Sequence, residues 1–129
     1  MAIRRFAVAV TTIADGSYTG YTPPFAGRLL ALVIATGTLD AGTDWTITEE
    51  DTGAALATLT NVNSGRIMPR AATHDVAGAA SLYAAAGEPV EDLIPLLGRI
   101  KVVVAQGGNV TSGTLHVFVD ASEVYRTTA

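Results

Sequence analysis

The chain predicts an all-β fold: an antiparallel β-sandwich or jelly roll of about six to eight strands, with one short helix as the sole exception. Three observations predict it. Short apolar segments alternate with a period of two. Gly, Pro, Asp and Asn residues punctuate them at close spacing. No segment carries the long 3.6-residue apolar stripe of an amphipathic helix. The 129 residues suffice for a single domain with its own core, and no internal repeat or linker divides them.

The elements follow in order. Residues 1–5 read as a short N-terminal arm. Arg4 and Arg5 followed by the apolar stretch to Ala14 resemble the start of a leader, but two threonines interrupt the stretch, and a strand is the better reading. In that strand Phe6, Val8 and Val10 share one face. DGSYTG is a turn leading into a short strand that ends near Tyr21. Pro23 and Pro24 cannot donate to a ladder and break it. GRLLALVIATG is a continuous apolar run, as expected of a central strand buried on both faces. Its core LLALVIA is too short to span a membrane.

DWTITEEDTGAALATLTNV has the pattern of a hairpin turning at Asp51-Thr52-Gly53. RIMPR is a short extended piece ending at Pro69. The Ala- and Gly-rich segment after it lacks a repeating apolar face. There Asp75 is a candidate cap for a short helix over 76–86, closed by Gly87. RIKVVVA and TLHVFVD both follow a period of two, with Val103 and Phe118 as apolar residues on the outer faces. Ile100, Val102 and Val104 point one way. Leu115, Val117 and Val119 point inward, with Thr114, His116, Phe118 and Asp120 outward. The two segments read as an antiparallel pair joined by a flexible tip, QGGNVTSG.

Composition narrows the function. Charged residues make up 16 % of the chain, against roughly 25 % in typical soluble domains. A surface so poor in charge exposes neutral and apolar area, which points to contact with other subunits and to a homo-oligomer. Net charge is −4, and basic residues are scattered apart from Arg4 and Arg5, so direct nucleic-acid binding is not expected. With no cysteine, disulfides and thiolate chemistry are excluded.

The chemistry-bearing residues form no catalytic pattern. His74 and Asp75 are adjacent, and neighbours on an extended chain point to opposite sides. No nucleophile elbow accompanies them. His116 sits mid-strand, and the two histidines lack ligand spacing. Glu49, Glu50 and Asp51 read as a solvated turn, since their pattern matches no calcium loop. The Gly-rich segments lack the strand–helix context of a phosphate cradle. No catalytic, metal or cofactor residue is therefore assigned, and the chain is read as non-enzymatic. The candidate interface residues are Arg4, Arg5 and Phe6 of the arm, the aromatic group Tyr18, Tyr21 and Phe25, and the loop residues Arg70 and His74. The aromatic group is open to three uses: closing the core, anchoring a protein interface, or stacking on sugars, the last with Trp45 as a further platform.

Three segments, GRLLALVIATGTLDAGTDWTITEEDTGAALATLTNV, PRAATHDVAGAA and RIKVVVAQGGNVTSGTLHVFVD, resemble small virion structural proteins of tailed bacteriophages. The likeness covers about residues 16–120 and is one of texture, with no catalytic signature. In size and low charge, head decoration (capsid cement) proteins are the most similar. The resemblance implies a part on the capsid exterior, made in the bacterial host cytoplasm, whose partner is the major capsid protein of the shell. Neck or tail components are the alternative it leaves open, and a carbohydrate-binding module is the alternative outside it. It assigns no functional residue.

Overall fold

The computed structural model describes residues 2–123. Within them lie eleven strands: β1 (Ile3–Thr11), β2 (Tyr18–Tyr21), β3 (Phe25–Ala35), β4 (Asp44–Glu49), β5 (Ala55–Leu59), β6 (Gly65–Ile67), β7 (Ala71–Ala72), β8 (Glu91–Asp92), β9 (Ile94–Gly98), β10 (Ile100–Ala105) and β11 (Ser112–Glu123). The first sheet has the order β1-β11-β3, with both β6 and β9 on the far side of β3. The second has the order β2-β10-β4-β5. All pairings are antiparallel.

Counting β6 and β9 as one interrupted strand gives two four-stranded sheets, and the chain crosses between them at every step except the β4–β5 hairpin, as in a jelly roll. The strand count exceeds the sequence expectation because the Pro- and Ala-rich region contributes the short strands β6 to β9, whose composition shows no alternation to read. No helix occurs among the described residues.

The inner faces meet in one core. Val8, Leu32, Leu115 and Val117 from the first sheet pack with Trp45, Ile47, Val102 and Val104 from the second. Trp45 is fully buried, and its indole N–H donates to the Val62 carbonyl at 2.9 Å. β3 is central, but only one of its faces is fully buried: Leu29, Leu32 and Ile34 point into the core, while Arg28 is exposed and Leu30 and Val33 are half-buried on the outer side, which no second layer covers among the described residues. At Gly27 it runs so close to β11 that a Cβ would stand 2.2 Å from the Asp120 carbonyl oxygen.

One sequence expectation fails here. The alternation in 100–105 and 112–120 correctly identifies two half-buried strands, and Leu115, Val117 and Val119 do point inward. The strands are not paired with each other. β10 lies between β2 and β4, and β11 between β1 and β3. A period of two shows that one face is buried without saying which neighbour shares the ladder. The inward faces of these strands meet across the sandwich. The connection 106–111 crosses between sheets and is tied down. Thr12, itself buried, donates its hydroxyl to the Gly108 carbonyl at 2.8 Å and accepts from the Thr111 N–H at 2.8 Å.

Trp45 gives a direct test of the core. Trp45→Ala should cost about 3–5 kcal/mol, the range for deleting a large buried aromatic. Trp45→Phe should cost less, about 1–3 kcal/mol, for the lost bond and an orphaned carbonyl. Urea unfolding followed by circular dichroism measures both.

Candidate functional site: a breach in the first sheet

β6 and β9 run in the same direction along one side of β3. β6 pairs with Leu32–Ile34, and β9 with Phe25–Leu29. Between them the chain leaves the sheet and returns 26 residues later, over 68–93. Pro69 has no N–H to give to a ladder, so the edge strand cannot continue there. Opposite the gap, β3 carries a bulge. Phe118 faces Ala31 and Val119 faces Leu29, so Leu30 is the extra residue. Its carbonyl accepts the Arg70 Nη1 at 3.2 Å, and the same nitrogen donates to the Pro69 carbonyl at 2.8 Å. A side-chain guanidinium thus replaces the missing edge-strand donor.

The gap opens a groove of about 410 Å³ on the outer face. Its apolar walls are Ile3, Leu30, Ala31, Met68 and Phe118, and its polar groups are the guanidiniums of Arg66 and Arg70. Arg66 lies over the Phe118 ring, 5.7 Å from its centroid. Ile3 and Met68 are 65 % and 57 % exposed, so the groove is open to partners.

The departing segment forms a narrow arm. β7 pairs with β8 at its root, and bridges His74–Ala80 and Leu82–Pro89 extend it. Three chain segments close on each other. The Thr73 N–H donates to the Val90 carbonyl, Val90 N–H to Ser81, and Ser81 N–H back to Thr73, all at 2.8–2.9 Å. These three residues are half-buried against one another, and every other residue of 71–92 is exposed. The backbone is therefore satisfied inside an arm that has no apolar core. Val76 and Tyr83 are the most exposed of its large apolar side chains, at 110 % and 76 %.

The candidate helix over 76–86 does not form. Asp75 caps a turn instead: its Oδ1 accepts the N–H groups of Ala77 and Ala79 at 2.9 and 3.0 Å. Gly78 and Ala86 take left-handed φ values of 84° and 56°, which break a right-handed helix. Asp favours this local bonding over helix continuation.

The candidate residues scatter. Arg4 and Arg5 are not in a free arm. They lie within β1, opposite Val119 and Phe118, and are exposed; Met1 is outside the described residues. Phe6 is half-buried, its ring 5.3 Å from that of Phe25, which is fully buried. Tyr18 packs partly against the core. Tyr21 is 40 % exposed on the other sheet, beneath Arg99 at 4.0 Å. With Trp45 and Phe25 buried, these aromatics build no shared platform for a sugar. His74 is exposed on the arm. Of the set, only Arg70 lines the groove, and Arg5 borders it through Phe118. Ile3, Leu30, Met68 and Arg66 carried no sequence signal. Phe118 did: it falls on the outward face of an alternating strand. His116, on that same face, has a buried Nδ1 without a partner among the described residues.

Arg99 also holds Glu50, with Nε donating to Oε1 at 2.9 Å. This bond keeps the Glu50 carboxyl below its ordinary value and raises Arg99. The pair ends the β4–β5 hairpin, and the acidic turn is thereby partly neutralised. No group of three or more side chains suited to a metal ion occurs among the described residues.

In comparison with known proteins, the chain matches no protein-family model and no curated relative.

Two variants test the local chemistry. Arg70→Met keeps the aliphatic stem but strips the Leu30 carbonyl of its donor, and should destabilise by about 1–2 kcal/mol. Arg70→Lys should recover only part, since its ammonium nitrogen stands one bond closer to the backbone than the Nη1 that reaches both carbonyls. Urea midpoints read from Trp45 emission measure both. Glu50→Gln should show a small loss at neutral pH. A lowered carboxyl value contributes stability above the ordinary glutamate range, and that contribution disappears as pH falls through the folded value. The gap between wild type and Glu50→Gln should therefore close on acidification; a gap independent of pH would contradict the pairing.

Proposed function

We propose that the chain is a non-enzymatic structural part of a tailed-phage virion, a decoration protein that binds the outside of the assembled head. One observation carries this reading: a complete sandwich projects an arm with exposed apolar side chains beside an open apolar groove. Neither feature serves the fold of an isolated copy, and both suit contact with neighbours. The groove's polar groups are guanidiniums, which bind and orient but do not exchange protons at neutral pH. That supports a binding surface over a catalytic one.

The jelly-roll order recurs in capsid and lectin domains, so the fold is compatible with the reading and does not decide it. The texture shared with phage virion proteins supplies the biological setting. The partner is then the major capsid protein, and binding that favours the assembled lattice stabilises it by mass action. A neck or tail position shares these surfaces and differs in copy number.

The test is the copy number of this chain in purified virions relative to the main shell protein. A ratio near one, or a simple fraction repeated over the lattice, is expected for decoration. A handful of copies would move the protein to the neck or tail. Absence from particles would overturn the virion reading.

A further inference from the structure

We propose that the arm of one copy docks in the groove of a second copy of this chain, giving a head-to-tail contact. The occupant is chosen by charge as well as by shape. The arm, residues 71–92, contains no Lys or Arg; of its carboxylates, Asp75 and Glu88 lie on the projecting part, and Glu91 and Asp92 lie in β8 at its root. The groove presents Arg66 and Arg70 and no carboxylate. The arm therefore offers an apolar surface fringed with acid, and the groove an apolar surface fringed with base. Opposite charges arranged in this way steer docking and fix its register.

The arm cannot serve its own groove in this conformation. It is rooted at the rim, next to Arg70, and Val76 points wholly to solvent. Its backbone bonds are closed internally, so it stands as a preformed element whose side chains are its unsatisfied part. Preorganisation lowers the ordering cost on docking. Arm and groove are different surfaces of one chain, so their contact is heterologous. Such contacts close into a ring or continue as an open array. This inference uses the same arm and groove as the virion reading, and it assigns them to contact between copies, which requires no shell.

Complementation between two defective variants tests it. Val76→Ser with Tyr83→Ser removes the arm's apolar anchors without adding acid and leaves the groove intact. Ile3→Glu with Met68→Glu spoils the groove and leaves the arm intact. All four side chains are exposed, so burial in the core is not disturbed, and Trp45 emission verifies folding. Sedimentation should show wild type as an oligomer that weakens with added salt, and each variant as a monomer. Mixed in equal amounts, the variants should form a heterodimer, because one good arm then meets one good groove. A wild type that stays monomeric at every concentration would overturn the proposal. So would an arm variant that associates like wild type, or a mixture of monomeric variants that does not pair. Should the groove variant fail to fold, the arm variant alone decides, since its substitutions lie outside the sandwich. Virion copy number is read separately, so failure of the docking model and failure of the virion reading are distinguishable.

Discussion

Where an edge strand leaves a sheet, the strand beside it is left with backbone groups to satisfy. In this protein the group in question is the Leu30 carbonyl, and Arg70 supplies the donor. Much of the rest depends on that exchange. Pro69 takes the chain out of the ladder, the bulge at Leu30 absorbs the change of register, and the guanidinium bridges the gap without a strand. A hydrogen bond from a charged group is stronger than the neutral bond it replaces. The sheet thus tolerates a breach midway along one edge.

The consequence is a division of labour within one chain. The stabilising burial lies between the two sheets, in a core that draws nothing from 71–92. The arm is held by hydrogen bonds and turns: Thr73, Ser81 and Val90 close around its axis through their backbones, the Thr73 hydroxyl donates to the Val90 carbonyl, and Asp75 caps a turn. An element with satisfied backbone and unsatisfied apolar side chains is suited to meet another surface. The groove at its root has the complementary composition. Sandwich and groove meet at Arg70, which both seals the sheet and lines the groove.

Much of the sandwich was legible in the sequence. The first strand, the central apolar run, the hairpin around Asp51-Thr52-Gly53 and both C-terminal alternating strands all occur. Each had a period of two, an unbroken apolar run or a turn residue to read. Strand pairing was not legible, because burial of one face is a local property and the identity of a neighbour is not. Hence β10 and β11, adjacent in sequence, belong to different sheets. Arg70 was singled out as a contact residue without its role being visible, since a side chain that serves a distant carbonyl leaves no periodic mark. Arg4 and Arg5 were taken for a free arm because charge at a chain end resembles one. The projecting element lies instead in the Ala-rich segment, whose missing apolar face was the signal that it packs on nothing of its own.

The most direct measurement is the stability of a chain from which the arm is excised. Ala71 and Asp92 are directly paired across the root, so a short turn can join them and leave Arg70 in place. Cooperative unfolding with a midpoint close to that of the full chain is expected, because no core residue is removed. Loss of the cooperative transition, or a large drop in its midpoint, would contradict the claim that the arm is an addition to a complete jelly roll.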